Sequence, residues 1–311
     1  MAEGLDVEDL RAWLTFSTAP GLDLKSAVAL LRAYGGPASA IDASVRELRE
    51  VVPVEQARAV VLPPDPVRAE QIEATLEWLS QRAGAFAVTL ADPDYPQGLL
   101  ELPDPPFVLL GLGHRGLLAS RFVSILGTRR PSAGGARMAR DFGAGLAQAE
   151  LGLASAMMEG VEAESLAGTL EAEGAACVIC ATPLDRVYPP ASRDVMIETA
   201  KKGVLLSFLM KGTPFAEENL GRRAQLLAAF SDATVVMEAD RSSRALSAAR
   251  LAAGLGRDVF AVPGDVRSPL SKGPHRLIRE GARLVESVAD IANDLRPLAS
   301  PRITLRDRDD I

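Results

Sequence analysis

From residue 122 onward the chain alternates short apolar runs with amphipathic stretches, and this alternation restricts the fold more than any other feature. The runs FVSILG (122–127), LGLASA (151–156), ACVICA (176–181), GVLLSF (203–208), ATVVME (233–238) and RDVFAVPG (257–264) each read as a buried strand. Helical spacing fills the gaps at about 134–149, 162–173, 192–202, 222–229 and 243–255. Strands separated by helices pair in parallel through crossovers, which predicts an α/β, mostly parallel, doubly wound sheet over 122–296. In such a sheet a ligand binds at the carboxyl ends of the strands.

Two segments at that edge combine glycine with positive charge. The first strand runs into Gly127-Thr128-Arg129-Arg130, and Ser132 is placed to cap the following helix. The last strand runs into a turn and then Ser271-Lys272-Gly273, with His275 two residues on in a helix. Strand, glycine-rich turn and helix start together point backbone N–H groups at an anion. Arg222 and Arg223, at the start of a third helix, add charge to the same edge. A phosphate-bearing ligand is therefore the first expectation. The opposing reading is a set of solvated turns, helix caps and surface ion pairs to Glu217 or Glu218.

Upstream, residues 1–65 read as short helices. VEDLRAWLTFST has helical spacing, and APGLDLKSAVALLRAYGG reads as a turn, an Asp or Ser cap, a helix and a Gly-Gly stop. This predicts an N-terminal helical cap of the SAM or helix-hairpin-helix type. Its turn holds Asp23, which opposes contact with a DNA backbone. A Pro-rich break, VLPPDPV, leads to a second unit at 66–296. That unit opens with a lead-in (66–121) of one helix and two short strands split by Pro-rich turns. Residues 297–311 read as a polar tail.

Bulk properties narrow the function classes. The net charge of −7 argues weakly against nucleic acid, but residues 1–100 carry all of it. Residues 241–290 hold nine Lys and Arg against five Asp and Glu, a local basic surface compatible with phosphate. No apolar run reaches the length of a membrane span, and the acidic MAEGLDVEDL start is unlike a signal peptide. Two cysteines suggest no disulfide framework, as in a reducing cytoplasm. Cys177 and Cys180 form C-x-x-C inside a strand pattern, where positions three apart face opposite sides, so buried small residues are expected and not a metal pair. Glu159, Glu162 and Glu164 read as a solvated first turn of helix with no nucleophile or metal triad beside them. Tyr188 can stack a base or belong to a packed turn with the prolines that follow it.

Several ordered runs resemble the DNA-processing protein A family (DprA, also called Smf). They are ADPDYP (91–96), LPDPPFVLLGLG (102–113), GTRRPS (127–132), LDRVYPP (184–190), GTPF (212–215), RDVFAVPG (257–264) and SKGPHRLIREGA (271–282). The resemblance covers residues from about 5 to 296. It implies an N-terminal helical cap on a Rossmann-like domain. It also implies single-stranded DNA binding, RecA loading in natural transformation, a homodimer, and no catalytic activity, cofactor or metal. Taken with the basic edge read above, the expected DNA-binding set is Gly127, Thr128, Arg129, Arg130, Arg222, Arg223, Ser271, Lys272, Gly273 and His275.

The departures from the family pattern gather in the pocket. The usual SGxAxGID-x-x-AH run stands as SAMMEGVEAESL, with Ala156 for glycine, Met158 for a small residue, Glu159 where a basic residue is common and Leu166 for histidine. Pro183 replaces a glycine and removes a donor. Ala224 and Gln225 replace asparagine and arginine, and Arg244 stands at a glycine. The chain thus reads as a divergent member with an altered pocket. Two other readings stay open: a module for a small nucleotide at the same strand ends, and a paralogue that acts through protein contacts alone.

Overall fold

The computed structural model describes residues 6–188 and 190–295. The tail expected from 297 lies outside them. The N-terminal part is helical throughout: α1 (Val7–Ser17), α2 (Leu24–Tyr34), α3 (Pro37–Asp42), α4 (Val45–Leu48) and α5 (Val54–Val61). Local chemistry sets the ends of these helices. Asp6 caps α1 and Asp23 caps α2 through an acceptor bond from the Ser26 amide (2.8 Å). Gly35, at φ 78°, stops α2 in the left-handed conformation that glycine tolerates best.

A 16-residue helix, α6 (Pro66–Gln81), leads to the antiparallel pair β1 (Ala85–Thr89) and β2 (Val108–Gly113). The ADPDYP run between them is a structural staple. Arg115 donates to Asp94 (2.7 Å), Asp92 (2.9 Å) and the Ala87 carbonyl (3.1 Å). The buried Tyr95 hydroxyl donates to the Pro106 carbonyl at 2.7 Å. Helix α1 packs on α6 and β2, so the helical segment and the sheet share one buried apolar cluster.

The alternating region follows in the expected order: β3 (Phe122–Leu126), α7 (Ala133–Gln148), β4 (Gly152–Ser155), α8 (Val161–Glu171), β5 (Ala176–Cys180), α9 (Arg193–Lys202), β6 (Val204–Ser207), α10 (Glu218–Phe230), β7 (Ala233–Val236), α11 (Arg244–Gly254) and β8 (Asp258–Ala261). Helix α12 (Lys272–Arg279), a two-residue β9 (Arg283–Leu284) and α13 (Val288–Asp294) complete it. The sheet has nine strands in the order β1-β2-β6-β5-β4-β3-β7-β8-β9. From β6 to β9 every pairing is parallel, while β2 meets β6 antiparallel.

The buried strands explain the uninterrupted apolar runs. Val123, Leu153, Val178, Val204 and Val235 expose no surface, each stabilising the fold by about 1.5–3 kcal/mol. Strand order reverses between β3 and β7. Connections β3-α7-β4-α8-β5-α9-β6 advance one way and α10, α11 and α12 lead the other way. Right-handed crossovers then place the two helix sets on opposite faces. The crevice at this switch point is where an open α/β sheet receives a ligand.

Candidate nucleic-acid interface

The loops that leave the carboxyl ends of β3, β4 and β7 are laced together. The Thr128 amide donates to the Glu238 carbonyl at 2.6 Å, and the Val161 amide donates to the Thr128 carbonyl at 3.1 Å. This contact sets the residue types. A Cβ on Gly160, already at φ 82°, would lie 2.3 Å from the Thr128 oxygen; one on Gly127 would lie 2.6 Å from Val161. Both glycines let the chain approach itself. Gly127 was expected to admit a ligand, and the space beside it is instead taken by Val161.

Arg129 and Arg130 project from this laced turn. Both are exposed, and among the described residues neither side chain makes an ion pair or hydrogen bond. Their backbone is fixed by Gly160 on one side and by Ser132 on the other. Ser132 caps α7 by accepting from the Gly135 amide at 3.0 Å. The Glu238 carboxylate then accepts from the Ser132 amide (2.7 Å) and hydroxyl (2.6 Å). The first turn of α7 has no acidic residue of its own, so Glu238 supplies the negative charge that a helix N-terminus favours. The place where a nucleotide phosphate would sit at the switch point is filled by the chain's own carboxylate.

The third predicted group is spent on packing. Lys272 and Gly273 do not precede the helix; α12 begins at Lys272, with Ser271 at its N-cap position. Ser271 and Gly273 are buried, the Gly273 amide donates to the Ala239 carbonyl (2.9 Å), and Lys272 Nζ donates to the Val266 carbonyl. His275 was expected to donate to an anion. Its Nε2 accepts from the Gly264 amide at 3.3 Å, which requires an unprotonated nitrogen there. The segment 271–275 therefore ties α12 to the β7 and β8 loops, beside the arginine turn and not within it.

Arg222 and Arg223 part company. Arg222 is paired with Asp104 at 3.3 Å and with Gln225, and not with Glu217 or Glu218. Arg223 is only 6 % exposed. Its Nη2 lies 3.1 Å from Met158 Sδ, and its buried Nε has no partner among the described residues. Burial pushes this guanidinium below its ordinary pKa, with Glu162, Cys180 and Tyr188 opposing the shift. Glu162 is buried as well, which corrects the expectation of a solvated turn. Its carboxylate accepts from the Ala156 amide (3.2 Å) and the Met158 amide (3.5 Å). Burial drives its pKa upward against the pull of Arg223 and those amides. Glu164 pairs with Arg140 at 2.9 Å, and Glu159 is exposed.

One loop joins these two halves. Residues 156–160 touch Arg223 through Met158 and carry the Arg129 turn on Gly160. Met157 within it holds φ 54°, a conformation that L side chains adopt with strain. Ala156, Ala181 and Leu166 are buried. Arg244, the first residue of α11, is exposed. Cys177 and Cys180 are buried free thiols, and burial pushes Cys180 up to about 12, which suits packing and not reactivity. Among the described residues no cluster of His, Cys, Asp and Glu could hold a metal, and no helix is long and apolar enough to cross a membrane.

The family model for DNA recombination-mediator protein A matches residues 86–296, about two thirds of the chain. The chain belongs to that family. It is 36% identical over 188 residues to a putative DNA processing protein DprA of Mycobacterium tuberculosis, covering 60% of this chain and 48% of the relative. The chain spans about half the length of the curated relatives it matches first. Its structure is similar to that of DNA processing protein A from Streptococcus pneumoniae (TM-score 0.73, 25% identity, 92% of this chain and 96% of the other). It is also similar to DNA processing protein A from Helicobacter pylori, a single-stranded DNA binding protein (TM-score 0.61, 27% identity, 67% and 95%). The family and the Rossmann-like fold expected from the sequence are thus both established.

Two features of the site escape sequence reasoning. Glu238 ends a strand pattern and looks like an ordinary polar boundary; only the return of β7 to lie beside β3 brings it to Ser132. The pairing of Arg222 with Asp104 spans 118 residues and carries no local signal.

Proposed function

We propose that this chain binds single-stranded DNA along the carboxyl edge of its sheet. The observation that carries the reading is the Arg129–Arg130 turn: two exposed cations, unpaired among the described residues, on a backbone fixed by Glu238 and Gly160, at the switch point. Arginines held out to solvent without acidic partners lose little when they trade water for phosphate, and they release counterions from the strand. The single-stranded DNA binding of the Helicobacter pylori relative supports the same ligand.

By the same reading the protein acts without catalysis in the cytoplasm, as a homodimer, during DNA uptake in natural transformation. It would pass its strand to RecA. The Ser271–His275 segment shapes the edge from behind, and Arg222 is released to DNA only if Asp104 gives way. The switch point does not favour a small nucleotide, because Glu238 fills its anion position.

The test compares labelled dT oligonucleotide with duplex of equal length by fluorescence anisotropy, then measures RecA filament assembly on the coated strand. Salt-sensitive preference for the single strand, with faster RecA assembly, is expected. Equal affinity for duplex, or assembly no faster than on bare DNA, would overturn the corresponding part. Sedimentation equilibrium reads the dimer directly.

A further inference from the structure

Of nine phenylalanines, three tyrosines and two tryptophans, only Tyr188 and Phe215 are exposed among the described residues. They are 40 % and 44 % exposed, and they lie together, with ring centroids 4.7 Å apart and planes tilted by 33°. Both stand at the carboxyl edge of the sheet. Tyr188 ends the loop after β5, and Phe215 lies in the loop after the neighbouring parallel strand β6. The two loops are tied where they leave the sheet, by Ser207 Oγ donating to the Thr182 carbonyl at 2.9 Å. Phe215 is presented by a built turn, closed by the Thr213 amide (3.1 Å) and hydroxyl (2.7 Å) on the Met210 carbonyl. Tyr188 also lies close to the buried Arg223.

A pair of rings left in water on a ligand edge matches the flat, apolar face of a nucleotide base. We infer that the Tyr188–Phe215 pair is a stacking step for one base of a bound single strand. The inference rests on the single-strand reading above and adds a base contact to its phosphate contacts. Stacking is indifferent to base identity because every base has a π-face, so the step adds affinity without sequence preference. A neighbouring protein surface would also cover apolar rings, but on the single-strand reading a base-bearing ligand already runs along this edge.

The experiment uses the full chain and two labelled oligonucleotides of equal length, one of dT and one of abasic sites that keeps the phosphates and lacks the bases. Wild type is compared with Tyr188→Leu, Phe215→Leu and the double variant. Exposed leucines should leave the fold intact, and circular dichroism melts check this. Wild type is expected to bind the dT strand several-fold more tightly than the abasic strand. Each single variant should lose about fivefold on dT, and the double variant should bind both strands alike, with its salt slope unchanged. Free thymidine monophosphate at matched base concentration should not displace the strand.

If wild type binds both strands equally with a steep salt slope, the stacking step is wrong and the phosphate reading stands. The step is equally wrong if the double variant keeps the dT preference, or if free nucleotide displaces the strand. If wild type binds neither strand, both readings fall.

Discussion

The carboxylate of Glu238 accepts hydrogen bonds from both the amide and the hydroxyl of Ser132, at 2.7 and 2.6 Å, and so closes the N-terminus of α7 from inside the protein. A cradle that elsewhere would attract a phosphate is satisfied here by a side chain 106 residues away. This contact also sets the direction of the Arg129–Arg130 turn that precedes it.

Glu238→Ala should therefore lower stability by about 1–3 kcal/mol, the loss expected when charge-assisted bonds are removed, seen as a drop in Tm. Wild type, its anion position already filled, should gain no Tm from mononucleotides. A rise of several degrees with any of them would contradict this account of the switch point.

Gly160→Ala tests the lacing of the loops. The new methyl group would meet the Thr128 carbonyl oxygen at 2.3 Å, on a backbone at φ 82° that costs a non-glycine residue about 1–2 kcal/mol. The Arg129 turn must move to make room. Reduced Tm together with weaker DNA binding is expected; unchanged DNA affinity would mean that the turn does not carry the strand.

Met158 covers Arg223, with its Sδ 3.1 Å from Nη2. Met158→Ala should uncover a guanidinium whose Nε lacks a partner among the described residues. Affinity for dT should rise, and the salt dependence should steepen by about 0.7 in log–log slope, one extra phosphate contact on a single strand. Met158→Leu, which keeps the volume, should behave as wild type.

Glu162 yields a pH prediction. Burial raises its folded pKa above the unfolded value, so the folded state holds its proton more tightly than the unfolded state. Its contribution is then destabilising above the unfolded carboxylate range and fades as pH falls into that range. Glu162→Gln, which keeps an acceptor for the Ala156 and Met158 amides, should melt higher than wild type at pH 7.5. The gain should shrink toward pH 4.5. A variant less stable at pH 7.5 would mean that attraction to Arg223 outweighs desolvation.

The architecture was largely legible because burial on both faces writes a parallel strand as a continuous apolar run. Every one of the six strands read from 122 onward is present, with helices between them. The two-residue β9 left no such run. Helix α10 begins at Glu218, earlier than the pattern from 222, because its first turn is polar and solvent-facing. In the site, Arg129 and Arg130 were found because a glycine turn after a strand has a local signature. Burial of Arg223 and Glu162 had none: Met158, which meets one through Sδ and the other through its amide, lies in the loop after β4, whereas Arg223 lies on α10. The Tyr188–Phe215 pair likewise exists only through the parallel pairing of β5 with β6.

The most direct test of the central claim is the salt dependence of dT-oligonucleotide binding for wild type and the Arg129→Ala/Arg130→Ala variant, by fluorescence anisotropy. The account predicts steep loss of wild-type affinity with salt, and a variant that binds more weakly with a slope shallower by about 1.4, two phosphate contacts fewer. A wild-type slope near zero, or a variant that matches wild type at every salt concentration, would contradict it.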